Sequence, residues 1–239
     1  MKIAAMSDLH GFQPIVPRGA DLVIIAGDIC PDAIRGMPAS RYPELQASWF
    51  DATVRSWVQT FKAPTLVTWG NHDFCGPFCR PTSRNLRVVV DAAVTVAGLR
   101  IWMTPWSNTF MKWAWMRSAD ELARHYEAIP KGIDILVSHQ PPYGCGDRYP
   151  NLETGEYEHI GSRELADAIR RVRPQVVICG HLHAGYGVWN VDDVPVYNVS
   201  VVNDAYQLVH PVTMLAVEPR KVAAKGEAPI WRSTNNPVS

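Results

Sequence analysis

Val176-Val177-Ile178-Cys179-Gly180-His181-Leu182-His183 is the stretch on which the reading of this chain turns. The apolar run Val176-Val177-Ile178 reads as a buried strand, and Gly180 marks where the backbone leaves it. In an extended chain, residues i and i+2 point to the same side, so His181 and His183 can face one point at a strand end. Neutral imidazole is the commonest metal ligand. Two histidines alone carry little weight, but other strand ends repeat the pattern.

Working outward, residues 2–7 read as a strand followed by Asp8, His10 and Gly11. Residues 22–26 lead into Gly27-Asp28, and residues 65–69 into Gly70-Asn71-His72-Asp73. Residues 133–138 lead into His139. Such repetition points to a parallel sheet whose carboxyl strand ends share one edge, where residues distant in sequence converge.

Helical patterns separate these strands. Leu45, Trp49, Val54, Trp57, Val58 and Phe61 form one apolar stripe over residues 40–61. Ser118 and Glu121 give a capping box for a helix over 118–128, and Ser162 caps a helix running to Val172. Short strands at 86–90, 93–96 and 100–103, with a turn at Ala97-Gly98, look like antiparallel additions opening a second sheet. Strands at 188–191, 194–198 and 213–217 close the pattern, with a turn at Asp192-Asp193. Residues 147–160 read as a polar surface loop. Residues 1–219 are expected to form one domain, and the polar, Pro-bearing residues 220–239 a flexible tail.

The totals narrow the class. Hydrophobic residues make up 47% and charged residues 19%, which allows a sizeable core and argues against global disorder. A formal net charge of zero gives no overall basic surface for nucleic acid. The apolar run before Asp8 is too short for a signal peptide, and no stretch approaches the ~18–20 apolar residues of a membrane span. The expected location is therefore the cytoplasm, with no membrane partner. Five scattered cysteines read as free thiols, since no second pair completes a zinc site with Cys75 and Cys79.

Asp8, Asp28, Asn71, His10, His139, His181 and His183 are too many donors for one tetrahedral zinc. They suit two divalent ions that share a carboxylate. A mixed oxygen and nitrogen set favours Mn, Fe, Zn, Co or Ni over Ca or Mg.

The succession Asp8-x-His10, Gly27-Asp28, Gly70-Asn71-His72-Asp73, His139 and Gly180-His181-x-His183 resembles the calcineurin-like metallophosphoesterase superfamily. The resemblance implies an α/β fold: a four-layer αββα sandwich of two mixed β-sheets flanked by helices, with a dinuclear metal site at the strand C-terminal edge. It implies that Asp8, His10 and His183 hold the first metal, that Asn71, His139 and His181 hold the second, and that Asp28 bridges them. His72 would face the substrate phosphate as catalytic acid, with Asp73 orienting its ring. Hydrolysis would proceed by attack of a metal-bridging hydroxide.

His139-Gln140-Pro141-Pro142-Tyr143-Gly144 with Asp147, Arg171-Val172-Arg173-Pro174, and Asn198-Val199-Ser200 are similar to the small single-domain phosphodiesterases of the metallophosphoesterase-domain-containing (MPPED) type. That likeness implies hydrolysis of 2′,3′- and 3′,5′-cyclic nucleotides and aryl phosphodiesters, usually with Mn. The protein serine/threonine phosphatases fit less well, because Ile29-Cys30-Pro31-Asp32 follows Asp28 without their arginine.

Nine tryptophans invite a stacking role on a nucleobase, but core packing is the reading for Trp49, Trp57, Trp102, Trp113 and Trp115. Trp106, beside Pro105, and Tyr143 are candidate pocket walls that contact substrate along with Asn71 and His72; Tyr186 shares that status. Arg84 and Arg148 read as solvated charge. A nuclease or phosphomonoesterase acting on nucleic-acid ends and a metal-containing, non-catalytic adaptor are the alternatives.

Overall fold

The computed structural model describes residues 1–32, 42–79, 85–151 and 154–220. The expected tail from 221 onward, the start of the helix expected from residue 40, and Arg84 lie outside the described residues.

Runs of Val, Ile, Leu and Ala form the first sheet. Strands β1 (Lys2–Met6), β2 (Leu22–Ala26), β3 (Thr65–Thr68) and β4 (Leu86–Val88) run parallel in that order, and the last strand, β15 (Thr213–Ala216), lies antiparallel beside β1. The second sheet contains β5 (Ala92–Val96), β6 (Leu99–Thr104), β9 (Ile135–Ser138), β12 (Val176–Cys179), β13 (Gly187–Val191) and β14 (Val194–Asn198). Its order is β13-β14-β12-β9-β6-β5, with a parallel centre and antiparallel edges. Two small ribbons complete the strands: β7 (Ser107–Asn108) with β8 (Met116–Arg117), and β10 (Arg148–Pro150) with β11 (Tyr157–His159).

Side-chain alternation explains the layers. Successive strand residues point to opposite faces. Ile3, Ala5, Leu22, Ile24 and Ala26 meet Ile101, Met103, Ile135, Val137, Val176 and Ile178 in one apolar layer between the sheets. Ala4, Met6, Val23, Ile25 and Val67 point the other way, onto Phe50, Val54, Trp57 and Val58. Leu136, Val177 and Cys179 back onto Leu122, Tyr126, Leu165, Ile169 and Val172. The result is a four-layer αββα sandwich. Strands covered on both faces read as continuous apolar runs, and each fully buried Ile or Leu contributes about 1.5–3 kcal/mol.

The outer helices differ slightly from expectation. The first stripe is α1 (Tyr42–Trp49), a π-turn at Phe50–Val54, and α2 (Arg55–Gln59). The other two are α3 (Ala119–Glu127) and α4 (Arg163–Val172). Ser118 and Glu121 form the capping box at α3, and the Ser162 hydroxyl accepts from the Leu165 amide at α4. Ala97 and Gly98 both have positive φ (46° and 86°), as a tight hairpin turn requires. Residues 147–160 are not all loop, since they include the β10–β11 ribbon. Arg148, Tyr149, Tyr157, Glu158 and His159 are exposed on both faces, so no alternation announced it.

Candidate metal centre

The parallel strands deliver their polar residues through tight backbone turns. Asp8, His10, Asp28 and His181 all have left-handed backbone, with φ of 57°, 42°, 50° and 69°. Non-glycine residues rarely adopt it, and such strain clusters at functional sites. The amide of His181 donates to both Asp8 oxygens at 3.0 Å, which ties the end of β12 to the end of β1. Ser7 bridges to Ser200 beside it, and the Ser200 hydroxyl donates to Asp8 Oδ2 at 2.6 Å.

Seven residues from both sheets converge here. One potential ligand atom from each of Asp8, His10 and His183 lies within 4.8 Å of the others, and the same holds for Asp28, His139 and His181. His10, Asp28 and His72 form a third such group between them. His139 Nε2 is 3.3 Å from Asp28 Oδ2 and 2.9 Å from Asn71 Oδ1. His10 Nε2 is 4.0 Å from the same Asp28 oxygen, and His183 Nε2 is 3.7 Å from Asp8 Oδ1.

Two of these rings are hydrogen-bonded on their far side. His139 Nδ1 meets the Ala26 carbonyl at 2.9 Å and His183 Nδ1 meets that of Asn203 at 3.1 Å. His10 Nδ1 lies 3.0 Å from Asp32 Oδ2, in ion-pair range without hydrogen-bond alignment. A donated Nδ1–H fixes the tautomer and leaves Nε2 with its lone pair pointing inward, the usual arrangement behind a metal-ligating histidine. His10 Nε2 and Asn71 Nδ2 are buried with no hydrogen-bond partner among the described residues.

Charge is concentrated at the same point. Burial opposes ionisation of Asp8, but His183 holds it well below the ordinary carboxylate range. Asp28 is lowered likewise, burial being outweighed by His139 and His72. Burial works against the charge on His139, yet Asp28 raises it to about 9. Burial, helped by His139, pushes His181 down to about 3.

The structure departs from expectation at Asp73 and Trp106. Asp73 does not reach the His72 ring: its carboxylate accepts from the backbone amides of Ile29, Cys30 and Gly70, each at 2.9 Å. Burial and nearby Asp28 raise it to about 6 against those donors. The ring partner of His72 is Asp32, through Nδ1. Trp106 is no pocket wall here. It packs in the outer layer behind the second sheet, donating its indole N–H to Asp91 at 2.6 Å. Tyr143 lies under the Arg163 guanidinium, 3.7 Å from the ring centre, at a cavity of about 330 Å³ lined by none of the candidate ligands. Tyr186 stacks on His210 with ring centres 4.0 Å apart. Arg148 lies over Tyr157.

The rings that do border the centre are others. Trp113, read as packing, stacks on His72 at 4.1 Å and 26°. Tyr206 meets His10 at 4.7 Å and His183 at 5.2 Å, and Phe110 meets His181 at 5.7 Å. The one available sequence signal was for Asp32, an acid shortly after Asp28. Tyr206 and Phe110 lie in irregular loops with no periodicity to mark them.

The family model for calcineurin-like phosphoesterases matches residues 1–185. The chain belongs to that family. Over 123 residues it is 37% identical to metallophosphoesterase domain-containing protein 1 of Homo sapiens, a match covering 51% of this chain and 36% of the relative. The Mus musculus protein of that name matches equally. The match thus spans little more than a third of the length of these curated relatives. The protein TT1561 of Thermus thermophilus superposes with a TM-score of 0.52 at 16% identity, covering 82% of this chain and 88% of that one. A second solved structure reaches 0.59 at 15% identity, covering 82% and 89%. These two similarities support the fold.

The family implies two divalent metal ions. The residues present fit them: a buried His10 Nε2 with no hydrogen-bond partner among the described residues, imidazole nitrogens grouped with buried carboxylates, and no thiol among those groups.

Proposed function

We propose that this chain is a metal-dependent phosphodiesterase. Its substrates are cyclic nucleotides with a 2′,3′ or 3′,5′ bridge and aryl phosphodiesters, and its metals are two divalent ions, Mn2+ in the first place. The observation that carries the reading is the position of Asp28. Its carboxylate falls in one ligand group with His139 and His181 and in another with His10, which itself groups with Asp8 and His183. In this assignment Asp8, His10 and His183 hold one ion, Asn71, His139 and His181 hold the other, and Asp28 serves both.

Bound there, two ions supply charge neutralisation at the phosphate oxygens and activation of water near neutral pH. The protein supplies positioning and a proton. His72 is held on one face by Trp113 and at Nδ1 by Asp32. Burial works against its protonated form, but Asp28 and Asp32 raise its pKa above the ordinary value. With Nδ1 engaged, Nε2 is the atom left to give a proton to the departing ester oxygen. The main-chain amide of His72 donates to Asp28 Oδ1 at 2.8 Å, which fixes the acid relative to the shared carboxylate.

We place the protein in the cytoplasm. All five cysteines are unpaired and buried, which suits a reducing compartment. Among the described residues no helix is long and apolar enough to cross a membrane.

The test is a substrate panel on Mn-loaded protein: aryl mono- and diesters, both classes of cyclic nucleotide, and oligonucleotides. Turnover of the diesters and cyclic nucleotides supports the reading. Confinement to oligonucleotide cleavage would make it a nuclease, and no turnover with metal bound would make it an adaptor. His72→Ala is expected to keep its metal and lose turnover by about 10²–10⁴-fold on substrates with poor leaving groups. An active variant on those substrates would remove His72 from the acid role.

A further inference from the structure

Phe110 is 54% exposed and Tyr206 is 42% exposed, yet both lie against imidazoles of the candidate metal centre. With Trp113 they surround it on different sides. Phe110 meets His181, Tyr206 meets His10 and His183, and Trp113 stacks on His72. Among the described residues, none of the three packs into any of the three apolar layers, so burial of core surface does not account for them. Aromatic rings left partly exposed beside a cluster of polar side chains are available to a ligand bound there.

Tyr206 is presented with particular care. It is a non-glycine residue at φ 57°. Its amide donates to the Asn203 carbonyl at 2.8 Å, and the Asn203 side chain accepts from the Ala205 and Gln207 amides at 3.1 and 3.0 Å. The same Asn203 carbonyl meets His183 Nδ1 at 3.1 Å. One residue therefore anchors both a candidate ligand and the loop that holds the tyrosine beside it. These hydrogen bonds hold the loop in a backbone conformation that non-glycine residues rarely adopt.

We propose that Phe110 and Tyr206, with Trp113 behind His72, form an aromatic subsite that grips the planar organic group of the phosphoester, a nucleobase or an aryl ring. This inference rests on the phosphodiesterase reading above and adds what selects the ester. A phosphoester bound at the centre would have these rings within reach of its organic substituents. Stacking uses the π-face that every base and aryl group has, so the subsite selects for the presence of a ring over its identity. Esters with only alkyl or sugar substituents lack that contact.

The test uses the full chain loaded with Mn2+ and calorimetric titration with two probes, adenosine 5′-monophosphate and ribose 5-phosphate. The wild type is expected to bind the nucleotide about tenfold or more tightly. In the double variant Phe110→Ala, Tyr206→Ala that ratio is expected to fall toward one, whereas Phe110→Tyr and Tyr206→Phe keep it. Equal affinity for the two probes in the wild type, or an unchanged ratio in the double variant, overturns the subsite. Hydrolysis of bis(4-nitrophenyl) phosphate is measured alongside. Absence of turnover in the wild type overturns the phosphodiesterase reading and the subsite with it, while turnover with an unchanged binding ratio overturns the subsite alone.

Discussion

Gly70 shows how closely the centre is packed. A Cβ at this position would run into the carboxylate and amide of Asp28 and lie 2.6 Å from His139 Cε1. Only glycine lets β3 end this close to the carboxylate that both ligand groups share. Gly180 does the same for Asp8, where a Cβ would meet the Ser7 hydroxyl and an Asp8 oxygen. Gly70→Ala is expected to weaken metal binding by about 10–100-fold, as displacement of groups around a ligand shell does. A metal titration checks this, and wild-type affinity would show that the neighbours yield freely. The convergence of Asp8, His10, Asp28, Asn71, His139, His181 and His183 was legible in the sequence because each follows an apolar run, and parallel strands put such positions on one edge. The surroundings were not. Whether Asp32 or Asp73 meets the His72 ring depends on how two loops fold over each other, and adjacent residue numbers misled. Asp73 turns inward to satisfy three backbone amides.

Elements were read well where one face is apolar and poorly where neither is. The stripe on α4 comes from Leu165, Ala168, Ile169 and Val172, all buried against β12 and its neighbours. Its start is fixed by Ser162, whose hydroxyl accepts from the Leu165 amide at 3.1 Å. Ser162→Ala is expected to cost about 1 kcal/mol of stability, read as a lower urea midpoint with an unchanged slope. An unchanged midpoint would mean that solvent or another group caps α4 equally well. The π-turn at Phe50–Val54 left no trace in the stripe, because Phe50 and Val54 stay buried on the same side. Tryptophans were harder still. Trp106 and Trp113 share a loop-rich stretch rich in aromatic residues, and only the closed fold decides that Trp106 enters the outer core while Trp113 stacks on His72.

At the scale of the whole molecule, the centre lies where the two sheets join. Asp8 and Asp28 come from the ends of β1 and β2 in one sheet, and His139 and His181 follow β9 and β12 in the other. Ser7–Ser200 pairing and the His181-to-Asp8 hydrogen bonds already cross that seam. Ions held by ligands from both sheets would add a further tie between them, and their loss would leave buried carboxylates and imidazoles facing one another. The most direct measurement is the metal content per chain, by elemental analysis after reconstitution with Mn2+ and removal of excess. Two ions per chain are expected in the wild type, with Asp28→Ala losing both. A single ion in the wild type, or two retained without Asp28, would contradict a centre built around one shared carboxylate.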